Sequence, residues 1–489
     1  MTTQTIDTRK QPLDALNAVY AYLVVAGLVL LLMMLIGLIM RMAQAEWFAL
    51  DPGLFYILMT MHGAGMVGIA AVGGSAIMWH FVRRYVRVST GAFLANLALF
   101  LLGALCILGA GFVGGFAAGW TFLFPLPAIS GDAWSINAAA AYLVGLLFIG
   151  IGFLLFYLDV ARGIIASYGS LANALGVKQV FGLAPEKNGP PAAVTASSMV
   201  LIVNTLGLIF GAAVLVLSLV NLYVPSFAID PLVAKNMIYF FGHVFINATI
   251  YMAVIAVYEI LPIYAHHAWR TNRVFYLGWI SSTVMVLIAY PHHLLMDFVM
   301  PTWVLILGQI ISWCSGLPVA LVTAFGTLTV VYRSGIKWDT ASGLLFAGML
   351  AWITGGIPGI MDSTIPINGV MHNTLWVPGH FHTYLLGMMA MLLGFATFVT
   401  KERSSASDYG AAPIGFWLYV IGSVVFVMAF LAGGSASVPR RFAVHLPEWL
   451  PYDRLGALGG TLIVSGTLIL VLVALLRIYW DLHTPAERR

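Results

Sequence analysis

Long apolar runs separated by short polar stretches dominate the hydrophobic pattern of this chain. Each run is long enough for the ~20 residues that a helix needs to cross a bilayer. The predicted spans are 18–40, 54–82, 91–118, 136–160, 196–222, 236–264, 275–298, 302–332, 342–361, 376–399, 412–434 and 457–480. The pattern therefore predicts an all-α polytopic membrane protein of about twelve transmembrane helices.

Composition and charge agree with this architecture. The 489 residues are 61% hydrophobic and only 8% charged, far from the composition of a soluble globular protein. When the loops are assigned alternately to the two sides, only five of the 22 Lys and Arg residues fall on one side. These five are Arg41, Lys235, Arg440, Arg441 and Arg454. By the positive-inside rule this side is the outer one, and both termini are cytoplasmic.

The chain shows no short-period repeat, so residues 1–489 are expected to form a single transmembrane catalytic domain. Residues 1–17 form a polar N-terminal tail, and the polar stretch 167–195 is predicted to be a cytoplasmic loop. The net charge of +4 comes mainly from the cytoplasmic loops and indicates no nucleic-acid partner.

Six of the 12 histidines fall at one depth, in the outer part of the predicted membrane region. Ionisable residues inside a membrane are costly and usually functional. One such residue alone is compatible with a purely structural imidazole, whereas six at matched depth favour metal ligation by neutral imidazole. The six are His62, His243, His292, His293, His380 and His382.

Helical geometry separates two of these histidines. His380 and His382 lie ~200° apart around a helix, because successive residues turn by ~100°. They cannot bind one ion, so their helix is predicted to lie between two haems. Adjacent His292 and His293 diverge by only ~100°, at a helix end that Pro291 opens. Outer-side Arg440 and Arg441 are then natural partners for haem carboxylates, the alternative being an ordinary solvated basic pair.

Six motifs together resemble subunit I of the haem–copper oxidase superfamily. They are TMHG at 60–63, GWTFLFPL at 119–126, GH at 242–243, PHH at 291–293, HNTLWVPGHFH at 372–382 and VPRR at 438–441. The resemblance covers predicted spans two to twelve, and the last two motifs are most similar to the B-type, ba3-like branch. It implies a multi-pass subunit in the inner membrane of a prokaryote, working in a respiratory chain.

The resemblance also implies ligand roles for individual residues. His62 and His382 would be the axial ligands of a low-spin haem, and His380 the single axial ligand of a high-spin haem. His243, His292 and His293 would bind the second metal, copper or non-haem iron. His372, Arg440 and Arg441 would lie near the haem propionates, and b-type haems are expected. Asp297 matches a residue typical of the branch and is not expected to be a further metal ligand.

Asn247 departs from the pattern of the oxygen-reducing members. The oxygen-reducing enzymes of the A and B branches carry a tyrosine four residues after the first histidine of the second metal, whereas this chain has GHVFIN. The tyrosine supplies the fourth electron and a proton for cleavage of the O–O bond, and asparagine can supply neither. Coupling two NO molecules to N2O and water needs only two electrons, so the departure favours a nitric oxide reductase of denitrification. Asn247 still faces the predicted site, because four residues turn a helix by only ~40° beyond one full turn.

Several alternatives stay open from the sequence. The chain could be a B-type cytochrome c oxidase that reduces O2, with the tyrosine relocated to Tyr251 or Tyr290, or an oxidase that has lost its activity. A non-catalytic haem-binding membrane protein is a further alternative, opposed by the single axial ligand His380. The lack of a carboxylate within one turn of His243 favours copper, although Asn247 could offer an oxygen to iron. Thr323, Ser312 and Ser315 mark a candidate proton path, or ties between helices.

No copper-thiolate motif and no Cys-x-x-Cys-His attachment site for haem occurs in the chain. Electrons are therefore expected from another polypeptide on the outer side. The expected partner is a subunit with a dinuclear copper or c-type haem domain, fed by cytochrome c or a similar donor, while the spans themselves contact membrane lipid.

Overall fold

The computed structural model describes residues 13–121, 126, 130–297, 299–401 and 410–483. Over these residues it is built of helices, and 12 of them are long and apolar enough to cross a membrane. This confirms the predicted all-α architecture with about twelve spans. Most of the predicted N-terminal tail, the FLFP part of the GWTFLFPL motif and the end of the C-terminal tail lie outside the described residues.

Sixteen α-helices follow one another along the described chain. They are α1 Leu13–Gln44, α2 Pro52–Val82, α3 Thr90–Phe112, α4 Ile136–Tyr168, α5 Leu171–Ala174, α6 Val177–Val180, α7 Ala192–Tyr223, α8 Pro231–Ala265, α9 Arg273–Ile288, α10 Thr302–Ser315, α11 Leu317–Val331, α12 Thr340–Asp362, α13 Ile365–Met371, α14 Trp376–Lys401, α15 Ala411–Ser435 and α16 Leu450–His483. The predicted cytoplasmic loop 167–195 contains the short helices α5 and α6.

Polar residues between the apolar runs determine where several spans begin. Asp51 caps α2 by accepting a 2.9 Å hydrogen bond from the Leu54 amide, and a proline follows it at the first helical position. Asp230 caps α8 in the same way, again followed by proline. At α12, Asp339 and Ser342 exchange hydrogen bonds in a capping box. Each cap satisfies amides that the helix itself leaves without partners.

Two predicted spans are interrupted, and both interruptions lie beside the histidines. The run 275–298 forms α9 only as far as Ile288, and the 3-10 turn Tyr290–Leu294 follows. The run 302–332 divides into α10 and α11 at Gly316. Pro291 and Pro318 explain the breaks, because proline has no amide hydrogen to donate to the preceding turn.

The two most enclosed spans occupy the centre of the bundle. In their most apolar windows, 83% of α8 and 89% of α14 is buried, against 17–50% for the other spans. These two helices carry His243 and the pair His380 and His382. Their central position places the histidines where protein, and not lipid, surrounds them.

Candidate metal and haem sites

Three histidines from two elements meet between α8 and the 3-10 turn after α9. Ligand-capable nitrogens of His243, His292 and His293 all lie within 4.8 Å of one another. Among the described residues, this is the one group of three or more histidine, cysteine or acidic side chains that could hold a metal ion. Three imidazoles without a carboxylate suit copper, iron or zinc.

The turn presents His292 in a defined orientation. Its Nδ1 lies 2.7 Å from the Ala289 carbonyl oxygen and 2.7 Å from the Ser312 hydroxyl of α10. Because a carbonyl only accepts, Nδ1 carries the proton and Nε2 is left as the metal ligand. Helix α10 approaches closely because Gly308 has no side chain: a Cβ there would lie 2.9 Å from that of Pro291.

Backbone carbonyls orient three further histidines in the same way. His62 Nδ1–H donates to the Met33 carbonyl at 2.7 Å. His380 donates in the same way to Gly355 at 2.9 Å, and His382 to Pro378 at 2.6 Å. Each ring therefore offers Nε2 to a metal. His380 and His382 use different acceptors because they lie on different faces of α14.

The spacing of His62 and His382 fits a haem iron between them. Their rings are nearly parallel, at 16°, with centroids 6.2 Å apart. A metal–imidazole nitrogen bond is about 2 Å long, so two rings that bind one ion from opposite sides have centroids roughly 6 Å apart. A Cβ at Gly37 would lie 2.6 Å from His62 Cε1, so glycine is what lets α1 pass behind this ring.

A large cavity joins this pair to the other candidate ligands. It has a volume of about 620 Å³ and is lined by all six histidines as well as His372, Arg440 and Arg441. His380 projects into it from α14, and Gly359 on α12 leaves room beside its ring, since a Cβ there would lie 2.5 Å from His380 Cε1. The donor set and the cavity fit two porphyrins and one further metal.

The rim of the cavity is positively charged. Arg440 is held against the segment before α14 by its amide, which donates to the Asn373 carbonyl at 2.9 Å. Burial and the neighbouring Arg441 lower the pKa of Arg440 to about 10, and its buried Nε has no hydrogen-bond partner in the described part of the chain. Burial, reinforced by both guanidiniums, lowers the pKa of His372 to about 4. Two adjacent cations and a neutral imidazole form a site for anions such as haem carboxylates.

Asn247 lies against the first histidine of the triad. Its side-chain nitrogen is 3.2 Å from His243 Nε2 and 3.4 Å from His243 Nδ1. Of the two tyrosines considered as replacements for a phenol, Tyr251 lines the cavity one turn further along α8. Tyr290 does not, and its hydroxyl donates to Asn236 Oδ1 at 3.0 Å.

The structure also brings in residues that the sequence did not single out. Tyr384 packs edge-on against His380, with ring centroids 5.1 Å apart, and Tyr239 stacks on His293 at 5.6 Å. Tyr239 could have been found from its spacing, because it lies four residues before His243. No sequence pattern indicates Tyr384, Gly37 or Gly359, because their roles depend on contacts between different helices.

Asp297 follows the turn of the triad and forms an ion pair. Its carboxylate accepts a 2.5 Å hydrogen bond from Lys235 Nζ. Desolvation, the largest single influence, raises the pKa of Asp297, but the hydrogen bonds from Lys235 and the Val299 amide and the charge of Lys235 together lower it. That Asp297 is not a metal ligand stays a prediction.

Comparison with known proteins places these features in a family context. The family of cytochrome c and quinol oxidase polypeptide I matches residues 17–462. The chain is 26% identical to cytochrome c oxidase polypeptide 1 of Halobacterium salinarum over 53% of this chain and 45% of that one. It is 25% identical to cytochrome c oxidase subunit 1 of Thermus thermophilus over 51% and 48%. The chain thus spans about half the length of the curated relatives it matches.

A solved structure shares the fold. It is a haem–copper terminal oxidase dimer studied by cryo-electron microscopy, with a TM-score of 0.75 and 20% sequence identity. The superposition covers 97% of this chain and 85% of that one.

Proposed function

Because the chain belongs to the family of cytochrome c and quinol oxidase polypeptide I, that of haem–copper oxidase subunit I, we propose that it is the catalytic subunit of a nitric oxide reductase. Members of this family are oxidoreductases that bind haems and a copper ion, in agreement with the sequence analysis. The proposed reaction is 2 NO + 2 e− + 2 H+ → N2O + H2O. We also propose that the chain belongs to the B-type branch of this family.

The residue roles follow from the donor geometry. His62 and His382 would hold the low-spin haem, His380 the high-spin haem, and the histidine triad a copper or iron ion. When bound, these groups would carry electrons to the cavity and supply two of them to the substrate. The chain itself orients four of the six imidazoles through backbone carbonyls, those of His62, His292, His380 and His382. It also surrounds the cavity with apolar side chains that limit water. Arg440, Arg441 and His372 would hold the propionates.

The observation that carries the substrate is the contact of Asn247 with His243. At this place the side chain touching the triad is an amide, which has neither an ionisable proton nor an accessible redox state. Reduction of O2 in one four-electron step would lack a phenol here, whereas coupling of two NO molecules requires none. The amide instead hydrogen-bonds the imidazole and helps to fix its orientation.

A second candidate is reduction of O2 to water. The relatives named above are cytochrome c oxidases, and the phenols of Tyr251 and Tyr384 line the same cavity. If either phenol replaced the missing tyrosine, the four-electron reaction would again be feasible. The two candidates differ in the number of electrons that the substrate receives, two for a pair of NO molecules and four for O2.

The remaining expectations complete the proposal. The protein would lie in the inner membrane of a prokaryote, with both termini cytoplasmic and with b-type haems. Electrons would arrive on the outer side, from a subunit with a dinuclear copper or c-type haem domain that cytochrome c or a similar donor reduces. A haem extraction and a metal analysis of the purified complex would test the cofactor part.

The substrate is tested by paired turnover of the purified, reduced complex on an NO electrode and an O2 electrode, with N2O analysed as product. We expect rapid loss of NO with formation of N2O, and slow consumption of O2. Fast reduction of O2 to water with little NO turnover would overturn the proposal in favour of the second candidate.

A further inference from the structure

One face of α8 carries a row of four cavity-lining residues. Tyr239, His243, Asn247 and Tyr251 follow at intervals of four positions, and all four line the cavity. Residues four apart lie above one another on a helix, ~6 Å apart along its axis. The histidine and the asparagine of the candidate site are therefore flanked by a phenol on either side.

The Tyr251 phenol is buried but directed at the cavity. The side chain is only 2% exposed, and its ring packs edge-on against Trp279 at 5.7 Å and Trp352 at 5.6 Å. No hydrogen bond within the described chain engages its hydroxyl, although this residue lines the cavity. The hydroxyl oxygen is not one of the fully buried unpaired atoms of the described chain, so it is open to the cavity, where a ligand or a proton transfer would give it a partner.

A second phenol reaches the same cavity from α14. Tyr384 lies edge-on to His380, and its hydroxyl is 3.3 Å from the position that a Cβ of Gly356 would take on α12. No described hydrogen bond engages this hydroxyl either. Tyr251 and Tyr384 thus line the cavity from two different helices.

The other hydroxyls on this side of the cavity are already committed. Ser312 donates to the Ala289 carbonyl at 3.2 Å, Ser315 to that of Ser312 at 3.3 Å and Thr354 to that of Leu350 at 2.9 Å. Asn247 has no ionisable proton. On the opposite side, Tyr239 stacks its ring on His293 and interacts electrostatically with Arg440, at the rim. Asp362, a carboxyl group that also lines the cavity, interacts with Arg440 at the rim. The Tyr251 phenol is the acid that remains on the face of α8 beside Asn247.

We propose that Tyr251 is the proton donor for NO reduction at this cavity. The inference rests on the proposed function. Two NO molecules form one N–N bond and lose one N–O bond, and two electrons arrive from the electron-donating partner. The Tyr251 hydroxyl gives its proton to the oxygen that leaves as water, and a proton from the aqueous phase restores the phenol. A second proton follows the same route, so that 2 NO, 2 e− and 2 H+ yield N2O and H2O.

The test compares Tyr251→Phe, Tyr384→Phe and the double variant with the wild type in the intact, cofactor-loaded complex. Phenylalanine keeps the ring contacts and removes only the hydroxyl. A general acid is worth about 10²- to 10⁴-fold in rate, so we expect Tyr251→Phe to lower kcat for NO by at least about tenfold, with KM little changed. The solvent deuterium isotope effect and the pH profile of kcat should also change. The haem spectrum reports whether each variant is assembled.

Two further variants make the result specific. Tyr419→Phe removes a buried hydroxyl of a residue that does not line the cavity. This hydroxyl donates to the Leu386 carbonyl at 2.7 Å, and its removal should leave the pH profile unchanged. Tyr239→Phe removes the rim phenol. A loss of proton-linked turnover in Tyr239→Phe, with Tyr251→Phe and Tyr384→Phe retaining the wild-type rate and profile, would overturn the proposal.

The proposed function can fail separately. A wild type that consumes no NO contradicts the reductase and this inference together, whereas an NO-reducing wild type with unaffected Tyr251→Phe and Tyr384→Phe contradicts only the inference. If Tyr251→Phe loses haem, the pH profile and the solvent isotope effect of the wild-type kcat test the proposed donor instead. A kcat independent of pH and without a solvent isotope effect would show that no proton transfer limits turnover, and would overturn the proposed donor.

Discussion

At the level of single residues, backbone carbonyls determine what each histidine can bind. The carbonyls of Met33, Gly355 and Pro378 each accept a hydrogen bond from one imidazole. A neutral imidazole has one donor and one acceptor nitrogen, so the second nitrogen of each ring is left for a metal. The rings are thereby oriented before any cofactor arrives, which reduces the entropy lost on binding.

His62→Ala should remove the low-spin haem and halve the haem content per chain, because His382 alone cannot supply both axial ligands. The pyridine haemochrome of the purified protein measures this ratio. His80→Ala is the matched control: His80 is a buried histidine of the same helix that packs against Phe81 and Phe395 and does not line the cavity. Equal haem loss in both variants would contradict the assignment of His62.

Gly359→Ala should displace His380 and weaken binding of the high-spin haem. The added methyl group would lie 2.5 Å from His380 Cε1, closer than van der Waals contact allows. Haem content and the high-spin band of the optical spectrum would report the loss. Gly369→Ala on α13 meets nothing within 4 Å and should bind haem normally. A normal high-spin spectrum in Gly359→Ala would refute the proposed packing.

At the level of elements, the break after α9 positions two of the three histidines of the triad. An unbroken α9 would turn His292 and His293 ~100° apart on a rigid helix. In the 3-10 turn that replaces it, their ring centroids are 4.2 Å apart and both approach His243. Three ligands can then converge, although two of them are neighbours in sequence.

Pro291→Ala should lower the content of the second metal while both haems remain bound. Alanine restores the amide that proline lacks, so α9 is free to continue and rotate His292 away from His243. Metal analysis by mass spectrometry, beside the haemochrome assay, separates the two effects. Pro262→Ala changes a proline inside α8 that the helix already accommodates, and should keep all three metals. Full metal content in Pro291→Ala would contradict this role of the turn.

At the level of the whole molecule, a buried ion pair ties the first span to the last. Arg41 of α1 and Asp453 of α16 are in contact, with side chains 4% and 0% exposed. Asp453 also accepts from His445 Nδ1 at 2.8 Å, and Arg41 donates to Gln44 at 2.7 Å. The network lies at the wall of the cavity, so it links the closure of the bundle to the site.

Asp453→Asn should destabilise the protein by about 3 to 5 kcal/mol, because it leaves the Arg41 charge buried without its counter-ion. Thermal denaturation in detergent measures the effect as a lower transition temperature. Asp132→Asn removes an exposed carboxylate from a connecting loop and should leave the transition unchanged. An unaltered transition in Asp453→Asn would mean that the pair adds nothing to stability.

Much of this architecture follows from the pattern of the sequence. Twelve spans were predicted because a bilayer crossing demands a long apolar run, and that demand acts locally. The separation of His380 and His382 onto two faces follows from the helical repeat alone. The opening at Pro291 is predicted from the sequence, whereas the break at Gly316 is not, since the apolar run 302–332 continues through it.

The sequence by itself determined the all-helical fold with its twelve candidate spans, the predicted common depth of the six histidines and the amide at position 247. These properties depend on composition and on periodicity within one segment. Only the tertiary structure decided that α8 and the turn after α9 bring three imidazoles within 4.8 Å, that His62 and His382 are nearly parallel and that Tyr384 and Tyr251 line one cavity. Such contacts join residues far apart in the chain, and they depend on how closely glycines let particular helices approach.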